Sequence, residues 1–258
     1  FRSKKFATHW DTWMYYHKGI HHLYYLITEY SPGEGIGLAT SSDGVHYEDH
    51  GLIIEASEDM VVFLGTGSVW KDPRFEENGR FLINYSEWRS DDQGRPVQNI
   101  LFAESRDLIQ WEKFGDADMF RIDPEYYEPH GRWDCINTCL RDEGGYWGSW
   151  TATPRGGNLN WGIGMGYSED GLHWKAVPPP EVLPDGHESG DFHKIGDTYY
   201  AMFGRGGSMA VYTSSSPTGP YVEQPKNAQV LLPPHTYFAR FHCCDEELLV
   251  NHHVMDGQ

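Results

Sequence analysis

The chain is poor in positive charge, and it contains no long apolar run. Its 258 residues include 20 Lys and Arg against 38 Asp and Glu, which gives a formal net charge of −18 at pH 7. Nucleic acid and anionic membrane surfaces attract positive charge, so we expect neither of them as a partner. No run of 18 apolar residues occurs, so we expect no bilayer-spanning helix. A neutral ligand is compatible with this charge.

Cysteine is also scarce. The four cysteines are Cys135, Cys139, Cys243 and Cys244. On a strand, Cys135 and Cys139 would lie roughly 13 Å apart, which is too far to share a metal ion. A disulfide framework is not expected in a chain of this length. The spacing therefore favours buried free thiols over a zinc site.

The start of the chain lacks the pattern of a signal peptide. It begins with Phe1 rather than Met, from which we expect that an upstream segment was removed. This leaves a secreted or periplasmic location open.

Aromatic residues are abundant, and one short pattern recurs. Aromatics form 15% of the chain, with 10 Trp and 16 Tyr. Each copy of the pattern reads as a strand, a tight turn and a second strand, as at the Ser-Asp-Gly sequence 42–44. The copies lie at 35–51, 99–115, 162–178 and, more loosely, 209–225. A repeat of this period indicates a chain built from copies of one supersecondary unit.

Aromatic and β-branched segments precede each copy and complete the unit. They lie at 21–30, 79–88, 144–153, 196–205 and 246–255. A further strand is predicted about a dozen residues upstream of each segment. We therefore predict an all-β, five-bladed β-propeller, formed as a single domain by residues 1–258, with its active site at the central axis. The alternative is a sandwich or barrel. The fifth unit ends after two strands, so we expect an incomplete blade that is either trimmed at Gln258 or closed from elsewhere.

Three acidic residues occupy equivalent positions in the predicted first strands. Asp11, Asp134 and Glu188 each lie 11–12 residues before the aromatic part of the next strand. A propeller directs such positions toward its axis, and carboxylates that share one site push their pKa values apart. Glycoside hydrolysis needs one ionised carboxylate and one protonated acid. Any one of these residues alone could be a turn or rim residue, but their common register favours a catalytic site.

Several segments resemble the five-bladed propeller glycoside hydrolases of families 32 and 43. WDTWMYYHKGIHHLYYL and the following GIGLATSSDGVHYEDHG are similar to the opening of family 32. GTGSVW resembles that family's Phe-Ser-Gly-Ser segment. RWDCINT stands where family 32 has Arg-Asp-Pro, and ESGDFHKIGDTYY resembles the acid-bearing motifs of both families. The resemblance covers nearly the whole chain.

This resemblance implies a role for each acidic residue. Asp11 would be the nucleophile of a family 32-like enzyme, or the general base of a family 43-like one. Asp134 would stabilise the transition state, and Glu188 would be the general acid. Arg132 would bind sugar or orient charge.

Further residues are candidates for substrate binding because sugar sites combine aromatic faces with polar groups. They are Trp13, Ser68, Trp70, Trp88, Arg132, Trp133, His193 and Arg240. Each Trp could instead pack between blades. His193 could orient Glu188, and Arg240 would be a buried cation facing the acids. We expect no cofactor and no catalytic metal, with a structural Ca²⁺ or Na⁺ ion near His253 as the alternative.

The sequence therefore predicts a glycosidase that acts on an oligo- or polysaccharide. The expected linkage is a β-fructofuranoside or an α-L-arabinofuranoside, cleaved with retention. Two alternatives stay open: an inverting family 43-like arabinofuranosidase or xylosidase, and a non-catalytic carbohydrate-binding propeller. The sequence does not decide between hydrolysis and transglycosylation, and it does not predict the oligomeric state.

Overall fold

We analysed a computed structural model of the chain. It describes residues 1–6, 9–28, 34–157, 161–183, 187–205, 208–225, 237–244 and 247–253. The described part is almost entirely β-structure, with one four-residue helix, α1 (Phe75–Asn78). No described helix is long and apolar enough to cross a membrane.

The strands form five sheets, each following the preceding one along the chain. The first contains β1 (His9–His17), β2 (Ile20–Thr28), β3 (Glu34–Ser41) and β4 (Glu48–Glu55). The second contains β5 (Met60–Lys71), β6 (Phe81–Ser90), β7 (Pro96–Ser105) and β8 (Glu112–Lys113). The third contains β9 (Trp133–Leu140), β10 (Tyr146–Ala152), β11 (Gly162–Ser168) and β12 (Lys175–Val177). The fourth contains β13 (Val182–Leu183), β14 (Glu188–Ile195), β15 (Thr198–Arg205), β16 (Ser208–Ser214) and β17 (Tyr221–Glu223). The fifth contains β18 (Tyr237–Cys244) and β19 (Glu247–His253).

The inner strands of these sheets form a closed ring. Strand β1 contacts β5, β5 contacts β9, β9 contacts β14, β14 contacts β18, and β18 contacts β1. Each sheet then continues outward as an antiparallel meander, and only β13 joins its neighbour in parallel. This arrangement confirms the prediction of an all-β propeller. Four sheets have four or five strands, and two strands of the fifth sheet are described.

Each inner strand carries a β-bulge near the axis. One extra residue interrupts the pairing with the second strand in all five sheets. Two of these bulges contain a non-glycine residue with a positive φ, Asp11 at 43° and Cys135 at 63°. A bulge bends its strand and redirects the side chains beside it. The bulges therefore set the directions of the side chains around the axis.

The core consists of aromatic layers packed between neighbouring sheets. The layer between the second and third sheets contains Trp70, Trp133, Trp150 and Trp174, all buried. The indole Nε1 of Trp70 donates a hydrogen bond to the carbonyl of Gly171, and that of Trp133 donates to the carbonyl of Phe120. Trp70 and Trp133 therefore pack between blades, and the prediction that they contact a sugar bound at the acids is corrected.

The four cysteines are free thiols, and only some of them are buried. Cys135 and Cys139 lie in the interior, as the sequence predicted. Cys244 is half-buried, whereas Cys243 is exposed, so the prediction of a buried thiol is wrong for Cys243. The side chain of Cys243 faces an open cavity at this end of the inner strands, whereas that of Cys244 points to the other face of β18.

Candidate active site

The three predicted acids meet at one end of the central channel, where the inner strands begin. Asp11 and Asp134 are each 6% exposed. Arg132 bridges Asp134 and Glu188. Its Nη2 donates a hydrogen bond to Asp134 Oδ2 at 2.9 Å, and its Nη1 donates one to Glu188 Oε1 at 3.0 Å. The fields of Asp134 and Glu188 both act on Asp11. The structure therefore brings together four residues that are up to 177 positions apart in the sequence.

The pKa of Asp11 is raised from 3.8 to about 7. Burial is the largest cause, because a carboxylate loses its hydration there. The positive charge of Arg240 opposes this shift, whereas the negative charges of Asp134 and Glu188 add to it. Both protonation states of Asp11 are therefore populated at neutral pH.

A buried chain of hydrogen bonds orients Asp134. Ser86 Oγ donates to Asp134 Oδ1 at 2.6 Å, and Gln98 Nε2 donates to Ser86 Oγ at 2.9 Å. The backbone N–H of Trp133 donates to Gln98 Oε1 at 3.0 Å. Gly65 leaves the necessary space, because a Cβ atom there would overlap Ser86 Oγ and Asp134 Oδ1. We call Ser86 and Gln98 the Asp134 support pair.

Sequence reasoning missed this support pair. Both residues lie on strands behind the inner one, β6 and β7, where an isolated Ser or Gln carries no motif. The only usable signal was alternation. Ser86 and Trp88 are two positions apart on β6, so their side chains point to the same face of the sheet. The prediction that Trp88 lines the site could therefore have drawn attention to Ser86.

Arg240 lies beneath the acids and is almost completely buried. Its Nη1 donates to the Gly67 carbonyl at 2.8 Å and to Asn137 Oδ1 at 3.1 Å, while its Nη2 donates to Thr66 Oγ1 at 3.0 Å. The guanidinium also lies 5.9 Å from the ring centre of Trp13. The predicted buried cation is therefore placed where its charge favours ionisation of the acid above it.

Trp13 and Ser68 do not face the acids. Trp13 is buried, and its ring stacks on Tyr24 with 5.7 Å between the ring centres. Ser68 Oγ donates to the carbonyl of Ile136 and accepts a hydrogen bond from Asn84. Both side chains are thus used in packing and in joining blades, and the prediction that they contact a sugar bound at the acids is corrected.

His193 does not orient Glu188. It follows the acid by five positions on the same strand, a separation of roughly 16 Å. Its Nε2 lies 3.4 Å from Cys243 Sγ, at the opposite end of the channel. The prediction that His193 orients Glu188 is therefore corrected, because the two side chains lie at opposite ends of the channel.

Trp88 forms an apolar wall together with Phe63, two positions along β6 from Ser86, the residue that binds Asp134. The two ring centres are 6.3 Å apart. The register of β5 is irregular between Met60 and Leu64, and this leaves Val61 and Val62 about half exposed, at 50% and 51%. Among the described residues, the buried Nε1 of Trp88 has no hydrogen-bond partner. This wall could therefore offer a bound sugar both an apolar face and an N–H donor.

The structure leaves the proposed central ion untested. The side chain of His253 lies outside the described part of the chain. Within that part, no group of three or more His, Cys, Asp and Glu residues could hold a metal ion. The ion near His253 stays a prediction.

A propeller with carboxylates gathered at one mouth of its channel has the acidic groups that glycoside hydrolysis requires. The family described as "Glycosyl hydrolases family 32 N-terminal domain" matches residues 11–177, which is more than half of the chain. The chain belongs to this family and is a glycosidase. A search of curated proteins finds no match.

Several solved structures share the fold. A thermostable family 43 glycoside hydrolase superposes with a TM-score of 0.69 at 14% identity, over 95% of this chain and 83% of that chain. The family 32 β-fructofuranosidase of Bombyx mori gives a TM-score of 0.68 at 13% identity, over 94% of this chain and 54% of its own. An α-L-arabinofuranosidase from Clostridium thermocellum gives 0.66 at 14% identity, over 97% and 83%. These likenesses show the propeller fold.

Proposed function

We propose that this glycosidase hydrolyses a furanosidic linkage by double displacement. The observation that carries the proposal is the position of Asp11, Asp134 and Glu188 at one mouth of the channel, with Arg132 bridging the last two. The match to family 32 begins at Asp11, and two of the similar structures bear the names of furanosidases. The proposed substrate is an oligo- or polysaccharide that contains a β-fructofuranoside or an α-L-arabinofuranoside linkage.

Each residue then has a defined task. Asp11 attacks the anomeric carbon in its ionised form, which a pKa of about 7 leaves populated at neutral pH. Glu188 gives a proton to the leaving oxygen, and afterwards it takes a proton from the water that releases the sugar. Asp134, held by Ser86 and Arg132, stabilises the positive charge that develops on the sugar ring.

A second mechanism uses the same residues with inversion. Asp11 would then act as a general base on water, and no covalent intermediate would form. The similarity to family 43 structures supports this alternative. The two mechanisms differ in the anomer that is released first.

A panel of aryl glycosides tests the proposal. It carries fructofuranosyl, arabinofuranosyl, xylosyl and galactosyl groups, and NMR follows the first-formed anomer. We expect turnover of one furanoside with retention, and no turnover by Asp11→Asn. Release of the inverted anomer would establish the second mechanism. Cleavage of xylosides or galactosides alone would reject a furanosidic substrate.

The role of Glu188 can be tested with leaving groups of different acidity. In Glu188→Gln we expect the rate on a poor leaving group to fall by about 10²–10⁴-fold, because no proton is supplied to the departing oxygen. An activated dinitrophenyl glycoside needs little protonation, so its glycosylation step should fall much less. Glu181→Gln, at an exposed position immediately before β13 of the same sheet, is the matched control. An equal loss on both substrates would contradict the role of general acid.

A further inference from the structure

A second cavity lies at the end of the central channel that is opposite to the acids. It has a volume of about 700 Å³. Its walls are the C-terminal parts of the inner strands, including Tyr15 on β1, Lys71 on β5 and Lys194 on β14. Trp13 and Arg240 separate it from the acidic site. We call it the distal cavity.

The distal cavity gathers positive charge in a strongly acidic protein. Lys18, Lys71 and Lys194 line it, each from a different inner strand or the turn that follows it. Within the described part of the chain, only Lys194 has an acidic partner, Asp142, at 2.8 Å. The ammonium of Lys71 instead lies 4.5 Å from the ring centre of Phe75. The charges of Lys18 and Lys71 are thus available to a ligand in the cavity.

The other acid of the cavity does not neutralise these lysines. Asp191 accepts hydrogen bonds from the backbone N–H groups of Phe192 and Phe241, so its carboxylate points into the backbone. Burial raises its pKa to about 6. Asp191 is therefore mostly ionised at pH 7, and its charge balances that of Arg240 at the inner end of the cavity, which leaves the charges of Lys18 and Lys71 in excess. The net charge of the lining is therefore positive, whereas that of the whole chain is −18.

The remaining walls are aromatic and polar. Tyr15, Tyr16, Tyr146 and Phe241 line the cavity, together with the imidazole of His193. Burial lowers the pKa of His193, so this ring is neutral at pH 7 and can donate or accept one hydrogen bond. Aromatic faces with a few polar groups suit a sugar ring, and 700 Å³ lies within the usual size range of small-molecule sites.

We infer that the distal cavity binds a phosphorylated sugar, with its phosphate between Lys18 and Lys71 and its ring against the aromatic wall. Lysine ammonium groups bind phosphate as compact point charges with three donors. This site would be separate from the acidic site, and the inference does not depend on the proposed reaction.

Cys243 provides a reporter inside the distal cavity. Its thiol is exposed and lines the cavity, whereas the neighbouring Cys244 points to the other face of β18. Alkylation by iodoacetamide can be followed at each cysteine by peptide mass spectrometry. We expect glucose 6-phosphate to slow the alkylation of Cys243 and to leave that of Cys244 unchanged. Glucose at the same concentration should have no effect.

Calorimetry on lysine variants provides the second test. Lys71→Gln should weaken the binding of glucose 6-phosphate by about tenfold, as expected for one lost charged hydrogen bond. Lys113→Gln, on the exposed outer strand β8, is the matched control and should not change the affinity. Inorganic phosphate should bind more weakly than the sugar phosphate.

Three results would overturn the inference. One is unchanged alkylation of Cys243 at millimolar glucose 6-phosphate, with no heat of binding. Another is an equal loss of affinity in Lys71→Gln and Lys113→Gln, which would indicate a general surface effect. The third is equal affinity for inorganic phosphate and glucose 6-phosphate, which would exclude a site for the sugar ring.

Discussion

At the scale of the single residue, burial acts against the charged form of Asp11, the proposed nucleophile. Asp11 has a pKa of about 7 in the folded protein and about 3.8 when unfolded. From pH 4 to pH 7 the unfolded chain loses this proton first, so the free energy of unfolding falls as the pH rises. Above pH 7 the folded protein holds a buried charge at a net cost. The ionised form of Asp11 is thus unfavourable for stability above pH 7.

The first prediction follows from that cost. Asp11→Asn should raise the free energy of unfolding at pH 8 by on the order of 2 kcal/mol, because the amide has no charge to bury. At pH 4 the variant and the wild type should differ little. Urea denaturation at both pH values measures the effect, with Asp92→Asn as the exposed control. A variant that is less stable than the wild type at pH 8 would contradict this account.

The second prediction concerns the Asp134 support pair. Ser86→Ala removes the hydrogen bond to Asp134 and leaves Gln98 without its acceptor. We expect kcat to fall by about tenfold with little change in KM, since the hydrogen bond acts on a charge that matters in the transition state. Steady-state kinetics on an aryl furanoside measures both constants.

Ser168→Ala is the matched control for Ser86→Ala. Ser168 is equally buried, but its hydroxyl caps the turn at Asp170 and Gly171, far from the acids. This variant should lose stability without losing kcat. An unchanged kcat in Ser86→Ala would exclude a positioning role for Ser86.

At the scale of the element, the position of a tryptophan on its strand decides its task. Trp133 begins the inner strand β9, and its indole is enclosed by Phe120, Tyr127 and Trp150. Trp88 lies near the end of β6 at the acid-side mouth, where the blade ends and the ring is half-buried. The same side chain is therefore enclosed in the core at one position and half-buried at the mouth of the channel at the other, where we propose that it contacts the substrate.

The same substitution at both positions is the third prediction. Trp133→Phe should lower the free energy of unfolding by about 2 kcal/mol, because it leaves a gap and removes the hydrogen bond to Phe120, while KM stays unchanged. Trp88→Phe should leave stability unchanged and raise KM about fivefold, because its N–H no longer reaches the sugar. Denaturation and steady-state kinetics on both variants measure the contrast. The opposite pattern would place the sugar at Trp133.

At the scale of the whole molecule, one buried cation joins separate blades. Arg240 comes from the fifth sheet, and it binds Gly67 in the second and Asn137 in the third. These contacts cross the channel between residues more than a hundred positions apart. The guanidinium thus supports ring closure as well as the charge balance of the acids.

The fourth prediction tests this link between blades. Arg240→Met should lower the free energy of unfolding by roughly 3 kcal/mol, because buried acceptors lose their donor. It should also raise the pKa of Asp11 further, which would move the acid limb of kcat/KM to higher pH. Denaturation and pH–rate profiles measure the two effects. Arg106→Met, at an exposed position, is the control. A stable variant with an unmoved pH profile would contradict both roles.

Local pattern alone was enough to predict the architecture and the acids. Alternating aromatic strands and repeated turns specify sheets of one kind, and a repeat of such sheets closes into a propeller. Because equivalent positions of each unit face the axis, the register of Asp11, Asp134 and Glu188 predicted their meeting. The match to family 32 extends over the units that carry the first two of these acids.

Only the tertiary structure decided what surrounds those acids. Alternation assigns Trp70, Trp88 and Trp133 to a face of a strand, but it does not tell whether a neighbouring blade covers that face. The role of Ser86 and the presence of the distal cavity could not be predicted from the sequence for the same reason. Each depends on contacts between residues of different blades. The sequence by itself determined the strands and their repeat, whereas packing between blades decided which side chains are enclosed and which stay at the mouth of the channel.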